Sequence, residues 1–167
     1  MDKKVIQNLS YGMYVIGAMD GNQPVGCFAN TVVQISSEGP MLLVSLNKQN
    51  RTHEVVSQTG RFSVTILSEA TPPLVIGTFG FFSSRDRNKF EGFQSGMLAG
   101  LPYVNEKTCG AMACEVVSST DAVTHTVFLA KVVDAKALSG GTPMTYAYYH
   151  NVIKGRAPKA APTYAED

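Results

Sequence analysis

An almost wholly apolar run, Met41 to Leu46, gives way at once to Asn47, Lys48, Gln49, Asn50, Arg51 and Thr52. Two cations, three amides and a hydroxyl within six residues are the donors that an oxyanion needs. Thr52 stands where it would cap a short helix running through His53, Glu54, Val55 and Val56 to Gly60. A helix start offers backbone N–H groups without partners, and its dipole favours an anion, so the corner reads as a phosphate site. Each charge-assisted hydrogen bond there contributes on the order of 1.5–3 kcal/mol. A plain Thr52 cap with solvated loop cations is the alternative, and local sequence leaves it open.

The elements that must position this corner are mostly strands. Ala29 to Ser36 reads as one strand, rich in β-formers, and Ser37 to Pro40 as the turn before the apolar run. Upstream, Tyr11 to Ala18 and Gln23 to Phe28 read as a hairpin around Asp20-Gly21. Downstream, Arg61 to Ser68 alternates, with Phe62, Val64 and Ile66 on one face and Ser63 and Thr65 on the other. Thr71-Pro72-Pro73 opens a second short helix ending near Gly80. Phe79 to Phe93 mixes aromatics with Arg85, Arg87 and Lys89; it reads equally as a self-paired loop and as a flap over a planar anionic ligand. Gly96 to Pro102 reads as a loop. Ala111 to Ser118 and Thr124 to Leu138 read as an antiparallel pair linked through Ser119-Thr120-Asp121. Met144 to Ile153 fits a strand or a helix equally, and the tail from about residue 155 is expected to run extended. At least six strands, two short helices and no βαβ alternation imply a mainly β, antiparallel barrel or sandwich with peripheral helices.

Composition narrows the function. The 167 residues suit a single domain, 1–167. A net charge of +1 gives no polyanion footprint, so nucleic acid is not expected as a partner. The 16% charged fraction is low, which points to surface buried between subunits. No apolar run reaches the roughly 20 residues of a membrane span, and MDKKVIQNL lacks a signal-peptide core, so a cytoplasmic location is expected. Cys27, Cys109 and Cys114 stand at no metal spacing and are expected to be free thiols, with no metal site. Neither GxGxxG between strand and helix nor a Walker lysine is present, which disfavours Rossmann and P-loop nucleotide sites.

Several stretches taken together resemble the flavin reductase-like proteins with an FMN-binding split barrel. They are Tyr11-Gly12-Met13-Tyr14-Val15, Ala29 to Gln34, Asn47-Lys48 with Arg51-Thr52-His53, the Phe79 to Phe90 loop and His125-Thr126-Val127-Phe128. The ending, Thr145 to His150 with Ile153-Lys154-Gly155 and Ala157-Pro158-Lys159, is similar to the flavin domain of rubredoxin-fused members. The resemblance implies an antiparallel split β-barrel, a homodimer and non-covalent FMN. It implies an enzyme passing electrons from NADH or NADPH to free flavin or to a redox protein such as rubredoxin. A non-enzymatic FMN carrier or sensor is the alternative on the same barrel. Carried onto this chain, Asn30, Thr31 and Val32 would lie along the isoalloxazine edge. Ser45, Leu46, Asn47 and Lys48 would line the ribityl chain and phosphate, Thr52 and His53 would close the phosphate end, and Arg85 and Lys89 would add charge from the flap. His125 would stand near flavin and nicotinamide as the catalytic candidate. Val123-Thr124 precede it where many relatives have Gly-Asp, so a histidine satisfied by its strand neighbours is the alternative. No rubredoxin-like CxxC pair follows within these 167 residues; a complete chain is expected to pass electrons to a separate carrier or free flavin, and a chain trimmed from a longer relative to the missing iron domain.

Overall fold

The computed structural model describes residues 2–157 and residue 163. After a 3-10 turn at Lys3–Asn8 come β1 (Tyr14–Asp20), β2 (Gln23–Ala29), β3 (Val32–Ser36), β4 (Met41–Asn47) and α1 (Arg51–Thr59). They are followed by β5 (Arg61–Ile66), α2 (Pro73–Phe81), β6 (Ser95–Leu98), β7 (Leu101–Val104), β8 (Gly110–Ala122), β9 (His125–Ala137) and α3 (Tyr146–Asn151). Seven strands form one antiparallel sheet in the order β2-β1-β5-β8-β9-β4-β3.

That order curls the sheet. β2 and β3 are its two edges, yet only Asn30 and Thr31 separate them in the chain. Three Cα–Cα steps of about 3.8 Å hold the edges within roughly 11 Å of each other. The sheet therefore wraps into a barrel with one open seam, and the Asn30-Thr31 turn bridges it. The amide of Ser45 donates to the Thr31 carbonyl at 3.2 Å, fixing that turn against β4.

The interior is filled by Ile16, Val44, Leu46, Phe62, Val64 and Phe128, with Val55 and Val56 of α1 packed among them. A second cluster, with Met13, Leu67, Ile76, Phe79, Phe90 and Tyr149, lies beneath α2 and α3. Gly26 is required there: a Cβ would stand 2.8 Å from the Phe79 ring and 3.1 Å from the Ile16 carbonyl.

Several elements differ from the sequence reading. The single strand over Ala29 to Ser36 is broken at Asn30-Thr31, because the chain changes edges of the barrel there. Gly96 to Pro102 is part of the hairpin β6–β7 rather than a loop; its turn is Ala99-Gly100, both at positive φ (48° and 78°). That hairpin explains β5, which is buried on both faces. Ser63 donates to the Pro102 carbonyl, and Thr65 accepts from the Val104 amide at 3.3 Å, so the polar face of β5 is covered and satisfied. The β8–β9 link is Val123-Thr124, not Ser119 to Asp121, which continue the ladder. Met144 to Ile153 contains a helix, α3, capped by Thr145, whose hydroxyl accepts from the Tyr148 amide at 3.1 Å. The described residues hold three α-helices, where the sequence reading counts two. Most of the tail expected to run extended lies outside the described residues. The three cysteines are free.

Candidate functional site

The seam, the end of β4, the start of α1 and the start of β9 meet at one corner. Ladder pairing sets Asn47 opposite His125, Leu46 opposite Thr126 and Ser45 opposite Val127. Ser45 is thus bound on one side to the Thr31 carbonyl and stands opposite Val127 of β9 on the other. The Lys48 amide donates to the Thr124 carbonyl at 3.0 Å, and its ammonium pairs with Asp121. His53 Nε2 and Thr126 Oγ1 share a hydrogen bond at 2.8 Å, and the His53 ring packs on Phe128 at 5.7 Å between centroids. His125 is buried, with Nδ1 2.8 Å from Thr124 Oγ1. Burial lowers the His53 pKa first, and the Lys48 ammonium lowers it further, so the ring is neutral at pH 7.

The helix start departs from expectation in an informative way. The cap position is Asn50, not Thr52, and the Asn50 side chain makes no cap hydrogen bond. Thr52 lies one residue inside α1 and is buried; burial pushes the Cys27 thiol up, against smaller opposing pulls from Lys89, Thr52 and Asn50. The Asn50 side chain thus leaves the first-turn amides of α1 uncapped, while Asn47 Oδ1 takes the Gln49 amide at 2.9 Å and the Asn47 carbonyl takes the Asn50 amide at 3.0 Å.

The segment after α2 is bound to this helix. Arg85 donates to the Gln49 carbonyl at 3.0 Å and pairs with Glu54; Glu54 also pairs with Arg51 at 2.6 Å, and Arg51 with Asp20. The Arg51 guanidinium holds the Glu54 carboxyl below its usual range. These charges border a cleft of about 560 Å³ lined by Asp20, Arg51, Arg85, Asp86 and Arg87 among others. Lys89 does not face it. Its side chain is 3% exposed and its ammonium donates to the Phe79 carbonyl at 3.1 Å; burial lowers its pKa to about 8. Phe79 and Phe90 are core, edge to face at 5.0 Å, so the flap's aromatics serve packing, apart from the exposed Phe81 and Phe82.

Residues 6–155 match the model of the flavin reductase like domain. The chain is 43% identical over 98% of its length to high molecular weight rubredoxin of Moorella thermoacetica, covering 72% of that protein. It is 37% identical over 99% of its length to a ferric-chelate reductase (NAD(P)H) of Archaeoglobus fulgidus, covering 99% of that protein. Among solved structures, the styrene monooxygenase flavin reductase of Pseudomonas putida S12 superposes with a TM-score of 0.72 at 26% identity, over 86% of this chain and 91% of that one.

This chain belongs to the flavin reductase-like family.

In this family member the split barrel is the curled sheet described above, and its seam carries Asn30 and Thr31. The fold brings together Thr31, Val32, Ser45, Leu46, Asn47, Lys48, His53 and His125. It sets Thr52 beneath the helix start and Arg85 beside it, and it turns Lys89 inward. Sequence reasoning missed Thr124, Thr126 and Asp121, the partners of His125, His53 and Lys48. Thr124 is the chain neighbour of His125, whereas Thr126 and Asp121 reach His53 and Lys48 only because the β8–β9 hairpin packs against the end of β4, and no local motif carries that pairing. It also missed Thr163, which hydrogen-bonds Asn30 at 3.0 Å. Among the described residues no cluster could hold a metal ion, and no helix is long and apolar enough to cross a membrane.

Proposed function

We propose that this flavin reductase-like chain binds FMN without a covalent bond and uses it to pass electrons from NADH or NADPH to free flavin or to a redox protein. The observation that carries the reading is the helix start: α1 opens with its first-turn amides left uncapped by the Asn50 side chain, next to Lys48 and beside the seam. An oxyanion is the ligand that such amides and a surface ammonium select. The residues fit a flavin nucleotide. The amides of α1 and Lys48 take the phosphate, Ser45 and Asn47 run beside the ribityl chain, and the Asn30-Thr31 turn with Val32 borders the ring. Lys89 adds positive field from behind the corner without touching the ligand. Arg85 and Glu54 brace the helix that supplies the amides.

When bound, FMN supplies two-electron acceptance and one- or two-electron delivery. The protein's part is positioning: the seam presents one edge and one face of the ring, and the buried wall of Leu46 and Phe128 limits water. His125, held by Thr124, stands where the donor would approach; it orients the donor and is not an obligatory acid or base. His125→Ala is therefore expected to keep FMN and retain measurable turnover at every pH, and complete loss of turnover with FMN still bound contradicts that role.

The acceptor is drawn from the relatives' chemistry: a rubredoxin-type protein or free flavin. We also propose a homodimer in the cytoplasm. Val33 and Ile35 are exposed on the edge strand β3, as are Val117 and Val133 on β8 and β9, the kind of apolar strand surface that a second copy covers. Anaerobic mixing of the FMN-loaded protein with NADH or NADPH tests the function. Bleaching of the flavin band much faster than for free FMN is expected; bleaching no faster than free FMN identifies a non-enzymatic carrier instead.

A further inference from the structure

The C-terminal motif is the most particular part of the sequence, and the reaction proposed above leaves it without a task. Thr163 lies 17 residues beyond Tyr146 and 133 beyond Asn30, yet it hydrogen-bonds both. Tyr146 is in turn fixed: its amide donates to the Tyr11 carbonyl at 2.9 Å, its ring meets Tyr11 edge-on at 6.0 Å, and the His150 ring packs 4.2 Å from it.

These hydrogen bonds have a direction. Thr163 Oγ1 donates to Tyr146 Oη at 2.7 Å. Its one proton is then used, so toward Asn30 it accepts, and Asn30 Nδ2 donates to it at 3.0 Å. The Asn30 amide is thereby oriented with Oδ1 toward Thr31, whose hydroxyl donates to it at 3.1 Å. Thr31 has now spent its own proton and meets any ligand as an acceptor only. Asn30 is 2% exposed, whereas Thr31 is partly open, so Thr31 is the member of the chain that a ligand in the seam touches.

An isoalloxazine edge carries carbonyl oxygens, which accept, and an imide N–H, which donates. An acceptor-only hydroxyl satisfies the N–H and leaves a carbonyl unpaired. We propose that Thr163, held by Tyr146, is a positioning residue: through Asn30 it sets Thr31 as an acceptor, and so selects the imide N–H of the flavin ring. The inference rests on the reading of the seam as a flavin site.

The test is a double-mutant cycle on the full chain, with FMN affinity read by fluorescence quenching. Thr163→Ala and Thr31→Ala are each expected to weaken FMN about fivefold, the loss of one neutral hydrogen bond. The double variant is expected to be no weaker than Thr31→Ala alone, because the two act through one bond. Thr163→Ser keeps the hydroxyl and is expected to restore both the affinity and the visible absorption maximum of bound FMN, which shifts in Thr163→Ala. Additive losses, unchanged affinity in Thr163→Ala, or tighter binding in it would each overturn the proposal. Failure of the unaltered protein to bind FMN would instead sink the flavin reading on which it stands.

Discussion

At the corner after β4 the Lys48 side chain is 36% exposed and its ammonium meets Asp121 across the strand pair. In the segment after α2 the Lys89 side chain is all but closed off, its ammonium on the Phe79 carbonyl and over the Phe79 ring. Both lysines stand in stretches whose composition suggested a phosphate clamp. A half-open ion pair is worth little, so Lys48 can exchange Asp121 for a phosphate at small cost. A buried ammonium cannot turn outward without emptying its site and abandoning its acceptor. The comparison separates a cation kept available from a cation spent on holding a segment in place. It assigns the proposed phosphate to the α1 corner and gives the flap a bracing role.

The sharpest way to break that contrast is to remove each cation in turn. A lysine whose pKa falls from its ordinary value to about 8 is disfavoured in its charged form by on the order of 3 kcal/mol at most. The sign follows from proton binding: between about pH 8 and the ordinary lysine range the unfolded chain holds more protons, so this group makes stability rise with pH. Lys89→Met is expected to flatten that rise between pH 8 and 10 in denaturant titrations, while changing FMN affinity less than about threefold. A variant that keeps the rise but loses FMN would reverse the two roles. Lys48→Ala should do the opposite. FMN affinity is expected to fall by about 10- to 100-fold, the value of one charged hydrogen bond, with stability nearly unchanged. Equal losses for FMN and riboflavin would show that the ammonium does not meet the phosphate.

Smaller effects refine the picture. His53 is held neutral by burial and by Lys48, so its folded pKa lies below that of the unfolded chain. The unfolded state takes up its proton first as pH falls, and stability is expected to decline below about pH 6.5 through this group. His53→Gln should remove part of that decline, as read by the unfolding midpoint at pH 5.5 against pH 7.5. Arg85 sits half-exposed on Glu54, so Arg85→Ala is expected to cost no more than about 1 kcal/mol and less at high salt. A larger loss would mean that the segment after α2, not the corner, secures α1.

The strand pattern and the polar corner were legible because apolar runs and donor-rich loops are local signals. β1, β2, β4, β5 and both long strands β8 and β9 lie where composition puts them. What was illegible depended on partners far away in sequence. The covering of the Ser63 and Thr65 face was illegible because nothing local announces the β6–β7 hairpin that packs on it. The hairpin itself was hidden because Ala99, a residue that rarely takes positive φ, occupies its turn. Thr52 looked like a cap because a hydroxyl before a helical stretch usually is one; the helix starts one residue before it, with Asn50 at the cap and Thr52 buried inside it. Lys89 looked available because charge reads as surface, and only tertiary packing turns it toward Phe79.

The central claim is that the α1 corner grips the anionic end of a flavin nucleotide. Affinity for FMN compared with riboflavin, measured by flavin fluorescence quenching on the unaltered protein and on Lys48→Ala, tests it most directly. Strong preference for FMN that shrinks toward parity in Lys48→Ala is the predicted result, and equal affinity for both ligands in the unaltered protein would contradict the account.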